Sequence, residues 1–259
     1  MVKIKRKLSR KLNISKARTK KEFSIKEEYK EAFRYIKESD NYIAIIIGIF
    51  SFLFMLGFIF PYIAPKEALD PILSIVQDWV KDILAKTEGL DFFGMWAFIF
   101  QNNLSVAFIS LFSGFIFAIL PIVLLFSNAL FVGIISGLVA NISGISVFWK
   151  ILPHGIFELP AIFISIALGI RFGIDLMINC LLFYKKELPR IPLSIYVIIC
   201  LLLFPITFLI ILILTILNKS LRNKLSFNFI NSIRVFIFII IPLLLIASFI
   251  EAGLIILLG

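Results

Sequence analysis

The residues with the clearest capacity for chemistry are the chain's single histidine and a carboxylate four positions after it. His154 and Glu158 occur in the stretch Pro-His-Gly-Ile-Phe-Glu-Leu-Pro, residues 153–160. Residues four apart share one face of an α-helix, so the two side chains can act on one ligand or on each other. Pro153 suits a first helical turn, so we expect the helix to begin there, with Glu158 near the positive end of its dipole.

Other polar side chains interrupt apolar segments elsewhere in the chain. Ionisable groups inside a membrane normally face the interior of a helix bundle and pair there, because exposure to lipid is costly. We therefore predict one intramembrane polar cluster near the outer leaflet. Its expected members are Asn102, Asn103, Asn128, His154, Glu158 and Glu251.

Three kinds of chemistry are open to this cluster. It could be a hydrogen-bonded network that specifies the fold, a substrate or proton site of a transporter or channel, or a metal site with His154, Glu158 and Glu251 as ligands. A catalytic zinc site usually has more than one histidine, and this chain has one. GxSxG, GxGxxG, CxxC and P-loop motifs are also absent from the sequence. We favour the structural network and expect no enzymatic activity, no cofactor and no bound metal.

The composition defines the class of protein in which this cluster must be built. Hydrophobic residues make up 61% of the 259 residues, 29 are phenylalanine, and the mean hydropathy is +1.05. A soluble globular chain is close to half apolar, and the excess here lies in long continuous runs. The sequence predicts an all-α, polytopic transmembrane helical bundle of about five to six spans.

The positive charge is concentrated at the N-terminus. Residues 1–40 contain 14 of the 26 lysines and arginines, against 6 acidic residues. Beside a hydrophobic span such a segment is typical of a cytoplasmic anchor that contacts anionic lipid headgroups, so we expect no nucleic-acid partner. We predict a basic cytoplasmic N-terminal segment at 1–40, a transmembrane helical domain at 41–259, and a multi-pass protein of the cell membrane with its N-terminus in the cytoplasm.

Apolar periodicity places the spans and one helix outside them. Between residues 67 and 84 apolar residues recur at helical spacing, with Asp70, Asp78, Lys81 and Asp82 on the opposite face, which predicts an amphipathic helix on the outer face. We expect Asn102 and Asn103 to begin the second span and Asn128 to begin the third. The predicted spans are Tyr42–Ile63, a long stretch Leu104–Phe126 with a kink or return at Pro121, Asn128–Phe148, Pro153–Phe172 and Val235–Leu258.

Small residues spaced by four predict where helices approach each other closely. The third span carries Ala129, Gly133 and Gly137, and the fourth carries Gly169 and Gly173. These five positions are the expected helix-packing sites.

Residues 191–217 form a further apolar stretch of ambiguous topology. Positive charge flanks both of its ends and Pro205 lies near its middle. One crossing would place one basic flank outside, whereas a re-entrant hairpin bent at Pro205 would have two short halves. Both alternatives stay open, and Glu251 reaches the level of Glu158 only if the segment does not invert the topology.

Several of these residues also carry a resemblance to a known family. The series is Asn102-Asn103 with Ala107 and Gly114, Asn128 with Gly133, Pro153-His154-Gly155 with Glu158 and Gly169, and Ala247 with Glu251-Ala252. Over residues 40–172 and 230–255 it resembles the stage II sporulation protein M (SpoIIM) family. Ala129 stands where that family often has glycine, and 191–217 resembles an additional hydrophobic insert, which favours the hairpin.

The resemblance implies a polytopic membrane protein without known catalytic activity, whose namesake is a scaffold for cell-wall hydrolases during spore engulfment. We accordingly expect a non-catalytic scaffold that organises partner proteins or lipids. The alternative is a transporter or channel that uses Glu158 and Glu251. Besides the lipid bilayer, the expected partners are a membrane or extracellular protein and further copies of the chain.

Overall fold

The computed structural model describes residues 24–115, 118–187 and 219–258, and these residues are almost entirely helical. Ser113–Phe115 and Ile145–Val147 are short 3₁₀ turns, and Phe236–Ile240 is a π-helical segment. The helices are α1 Ile25–Lys37, α2 Asp40–Ile63, α3 Lys66–Thr87, α4 Phe92–Phe112, α5 Ile119–Ser143, α6 Phe148–Glu187, α7 Lys219–Val235 and α8 Ile241–Leu258. No strand occurs within the described ranges, so the all-α prediction is confirmed.

Five helical stretches among the described residues are long and apolar enough to cross a bilayer, which confirms the multi-pass bundle. The last of them runs through α7, the π-helical segment and α8 without a break. The stretches are Asp40–Ile63, Phe92–Phe112, Ile119–Ser143, Pro153–Ile178 and Leu225–Leu257. A sixth crossing, or the hairpin, would fall at 191–217, which lies outside the described residues.

Successive spans run in alternating directions, and α6 lies at the centre of the bundle. In the apolar part of α6, 61% of the residues are buried, whereas the corresponding share in the other four spans is 22 to 39%. We call the end at which α2 begins and α4 ends the α1 end of the bundle. The opposite end, at which α2 ends and α4 begins, is the α3 end.

The predicted starts of the second and third spans are wrong. The second crossing begins at Phe92, because Asp91 caps the helix by accepting a hydrogen bond from the Gly94 amide at 2.8 Å. Asn102 therefore lies about 15 Å along α4, near the middle of the bundle. The chain returns between α4 and α5, where Ala118 has a φ of +64°, and Asn128 then lies about 14 Å along α5.

The fourth apolar span begins at Pro153, as predicted, but the helix that contains it begins earlier. α6 starts at Phe148 after a 3₁₀ turn, so Pro153 lies inside the helix. The favourable effect of a helix dipole fades within the first turn, and Glu158 is the eleventh residue of α6. The carboxylate is consequently not stabilised by the N-terminal dipole and depends on tertiary neighbours. α6 continues for 40 residues, so the helix extends beyond Phe172, where the predicted span ends.

Glycines let the backbones of neighbouring spans touch. Cβ atoms added to Gly133 and Gly137 of α5 would lie 2.4 Å from the Phe54 carbonyl oxygen and 2.3 Å from that of Phe58, both in α2. A Cβ on Gly169 would lie 2.1 Å from the Ser110 oxygen. Gly173 packs in the same way on the turn at Ala118, at 2.3 Å from its nitrogen. Ala129 is fully buried in the same core.

The amphipathic helix is present as α3, a few residues longer than predicted, on the outside of the bundle. None of its residues is buried. The Trp79 ring packs edge-on against Phe131, with 5.5 Å between centroids. Phe131 lies about 18 Å before the end of α5, so this contact is on the side of the bundle, not on its outer rim.

The close contact of α2 and α5 generates a stability prediction. Gly137→Ala should lower the free energy of unfolding of the purified protein by about 1–3 kcal/mol. The reason is that the new methyl group would collide with a backbone carbonyl of α2, which is fixed in its helix. Thermal unfolding in detergent measures this. Gly48→Ala is the matched control, since nothing lies within 4 Å of the Cβ position at Gly48. Equal stability of the two variants would contradict the close approach.

Candidate functional site

Three of the predicted cluster residues meet between α6 and α8. One ligand atom each from His154, Glu158 and Glu251 lies within 4.8 Å of the other two. His154 and Glu158 come from successive turns of α6, as their spacing predicts, and Glu251 comes from the antiparallel α8. The structure therefore places both intramembrane carboxylates at the same level of the bundle.

The depth of the cluster follows from its position on each helix. Glu158 lies about 8 Å inside the start of the span Pro153–Ile178, and Glu251 lies about 9 Å inside the end of the span Leu225–Leu257. Both counts place the cluster one to two helical turns below the α3 end. The site thus lies within two of the apolar spans, close to the α3 end.

The environment of the cluster leaves its charges with few protein partners. All three side chains are partly buried, and the buried Nδ1 atom of His154 has no hydrogen-bond partner among the described residues. No lysine or arginine whose side chain the structure describes forms an ion pair with either carboxylate. At an effective dielectric constant near 20, two charged carboxylates at this separation repel by about 3 kcal/mol. A bound proton or cation would remove that repulsion.

The asparagines predicted to join the cluster form other contacts. Asn102 donates a hydrogen bond to the Oδ1 of Asn103 at 3.4 Å, within α4. Asn128 donates to the carbonyl of Leu124 at 2.8 Å, within α5. No hydrogen bond in the described part of the chain joins any of the three to His154 or to the carboxylates. Their assignment to one network therefore stays a prediction, and the geometry brings together three of the six residues.

A second polar site lies at the α1 end, on the same central helix. Arg171 donates a hydrogen bond from Nη1 to the Ser39 hydroxyl, and its Nη2 lies 4.0 Å from a Glu38 carboxylate oxygen. Its guanidinium carbon lies 4.5 Å from the centre of the Tyr35 ring, a cation–π contact. Burial raises the pKa of the Tyr35 hydroxyl, and the charge of Arg171 acts in the opposite direction. Arg171 thereby attaches the C-terminal end of α1 to the bundle.

α7 provides the rest of this attachment. Arg234 of α7 forms an ion pair with Glu28 of α1, and Asn228 donates to the Asp175 carboxylate of α6 at 3.1 Å. The rings of Tyr35 and Phe227 pack edge to face at 6.5 Å. α1, α6 and α7 are therefore joined by polar and aromatic contacts, and α6 and α7 meet at Asp175 and Asn228, at the α1 end of the bundle.

Comparison with known proteins shows which family has this architecture. The family model described as "Stage II sporulation protein M" matches residues 43–254, which is most of the chain. The chain belongs to the SpoIIM family. The matched range contains His154, Glu158 and Glu251, and it also runs across 191–217.

A relative in an archaeon supports the assignment. An uncharacterised protein of Methanocaldococcus jannaschii, MJ0793, is 34% identical over 139 residues, which covers 53% of this SpoIIM protein and 72% of the relative. No solved structure matches the chain. The comparisons therefore establish the family of this SpoIIM protein and name no activity for it.

The contacts of Arg171 in this SpoIIM protein were not predicted from its sequence. The sequence predicts only a basic segment at residues 1–40 that contacts lipid headgroups, and it gives Arg171 no partner there. Ser39 and Arg171 are separated by 132 positions, and no local pattern reports a contact at that distance. Two features of residues 22–40 could have indicated that this helix packs on the bundle, namely its mixed charges and its aromatic Tyr35. In the structure the Tyr35 side chain is 2% exposed.

The attachment of α1 generates the second prediction. Arg171→Met should destabilise the docking of α1 by about 1–3 kcal/mol, because the Ser39, Glu38 and Tyr35 contacts are lost together. Tryptic cleavage after Lys30, an exposed residue of α1, should become faster in the folded protein. Lys37→Met is the control, since it removes an exposed cation from the same helix. If cleavage after Lys30 is equally fast in wild type and Arg171→Met, Arg171 does not hold α1.

Proposed function

We propose that this SpoIIM protein is a non-catalytic membrane scaffold, and that α3 is the element that binds its partner. The proposal includes the orientation expected from charge, with the α1 end of the bundle in the cytoplasm and the α3 end on the outer side. The observation that carries it is the exposure of apolar side chains on α3. Ile75 is 63% exposed, Leu84 is 61% exposed and Trp79 is 47% exposed. A helix with this surface is available to bind another apolar surface.

Charge supports a protein partner over an anionic lipid surface. Residues 64–91, which contain α3, have six acidic residues and three lysines. Anionic headgroups attract basic helices, so an acidic polar face weakens adsorption to such a membrane. A membrane or extracytoplasmic protein with an apolar stripe and basic flanks fits this surface better.

The architecture also suits a scaffold. The bundle is closed by backbone contacts between α2 and α5 and between α4 and α6, so it offers a rigid base. α3 lies outside that base and is joined to its neighbours through residues 64–65 and 88–91. Interaction through α3 would therefore leave the bundle unchanged.

A second function, transport of a proton or cation, is favoured by one specific observation. Glu158, Glu251 and His154 converge inside the apolar layer, and membrane-depth carboxylates often mark ion pathways. The sequence contains no evident inverted repeat, which is a common feature of transporters. We therefore rank transport below scaffolding.

Photo-crosslinking tests the scaffold proposal. A photoreactive phenylalanine analogue at Ile75 should form a defined protein adduct in native membranes, and the same analogue at Phe52, 63% exposed on α2, should form lipid adducts. The substitution pair Leu84→Ser and Val80→Ser should reduce the Ile75 adduct at least about tenfold without changing thermal stability, since both side chains are exposed. Lipid adducts alone from position 75 would contradict a protein partner for α3.

Proteoliposome flux tests the transport alternative. If the carboxylates conduct a proton or cation, Glu158→Gln should abolish uptake driven by an ion gradient, because the amide cannot exchange a proton or bind a cation strongly. Lys86→Ala is the control, since Lys86 pairs with Asp82 on exposed α3, away from the cluster. Uptake that is absent from the wild type, or equal in both variants, rejects transport through Glu158.

A further inference from the structure

We propose that His154, Glu158 and Glu251 form a binding site for one divalent transition-metal cation of the zinc or manganese class. The site goes beyond the scaffold function and does not depend on it. Its three potential ligand atoms lie within 4.8 Å of one another. Ligands of a cation bound at about 2.1 Å lie about 3.4 Å apart in tetrahedral geometry, so a shift of about 1 Å in the side chains completes the site.

Charge balance is the first argument for a cation. Two carboxylates bring two negative charges into the apolar layer, and in the described ranges neither has a cationic side chain paired with it. A divalent cation neutralises both charges at once. A single shared proton neutralises one, so a carboxylate that remains charged still needs a partner.

The unpartnered imidazole is the second argument. Nδ1 of His154 is buried and has no hydrogen bond within the described residues, which is costly for a polar atom unless a ligand satisfies the ring. Neutral imidazole is a common ligand of transition metals, whereas calcium and magnesium are usually bound by oxygen atoms alone. One nitrogen and two carboxylate oxygens therefore favour a metal of the zinc or manganese class.

The arrangement of the helices is the third argument. His154 and Glu158 come from adjacent turns of α6, which is a frequent way for one helix to provide two metal ligands. Glu251 provides the third ligand from α8. The single histidine in the sequence argues against zinc, but the structure brings Glu251, already a candidate third ligand, beside the other two. Three protein ligands leave a coordination position open to water.

The chain's single histidine permits a direct test on the unmodified protein. Full-length protein is purified in detergent with an affinity tag that contains no histidine, stripped with chelator, and titrated with Zn²⁺ and separately with Mn²⁺. With ¹⁵N-labelled imidazole, the one set of ring signals should shift on zinc addition and saturate at one equivalent. Manganese should broaden the same signals. Calorimetry should give one tight site, and the thermal midpoint should rise with zinc concentration.

Variants connect the bound ion to the two carboxylates. Glu158→Gln and Glu251→Gln should each weaken zinc binding by about 100-fold or more, since loss of a ligand exceeds the usual effect of a supporting residue. Asp78→Asn, on exposed α3, should bind as the wild type does. Imidazole signals that do not move with ten equivalents of either metal overturn the site. Binding that is unchanged in both folded glutamine variants does so as well.

Discussion

The pairing of polar side chains on α6 is the constraint on which the rest of the bundle depends. This helix is the most buried of the five spans, and it carries ionisable groups near both ends. Such groups are stable in an apolar layer only when neighbouring helices provide partners for them. Arg171 has Ser39, Glu38 and Tyr35 as partners at one end. At the other end Glu158 faces Glu251, a second acid with which it can pair only through a shared proton or cation. The helices around α6 are positioned to make these contacts, and the small residues allow them to come close enough.

Small residues allow α4 and α6 to come close to each other near Arg171. At Gly169 the backbone of α6 touches the carbonyl of Ser110, and two residues later Arg171 extends towards α1. A larger residue at Gly169 would separate α4 from α6, and nearby Gly114 shows the same tight contact from the other side, with a Cβ distance of 2.2 Å to the Gly169 oxygen. The hydrophobic effect places these helices in the membrane, whereas backbone contact and polar pairing determine which faces meet.

A feature of this structure can be predicted from the sequence when the residues that form it are close together along the chain. Local periodicity predicts the helices, the crossing at Tyr42–Ile63 and the shared face of His154 and Glu158. The structure contains these helices and places the two side chains together. Helix starts were less predictable, because Gln101, Asn102 and Asn103 are polar enough to suggest a boundary and yet lie within α4. The meeting of Glu251 with Glu158 depends on which way the chain returns after α6, and the hold of Arg171 on α1 depends on a contact across 132 positions. Neither has a local signature.

The structural and ligand-binding interpretations of the cluster describe one physical interaction. Glu251 lies between Ala247 and Ala252, both fully buried, so the backbone of α8 is packed tightly at the level where Glu251 faces Glu158. Two acids fixed in this way repel each other unless something positive lies between them. A cation bound by His154 and both carboxylates would turn that repulsion into a bond between α6 and α8. It would therefore stabilise the bundle, and a scaffold built on it would require the metal for assembly and not for catalysis.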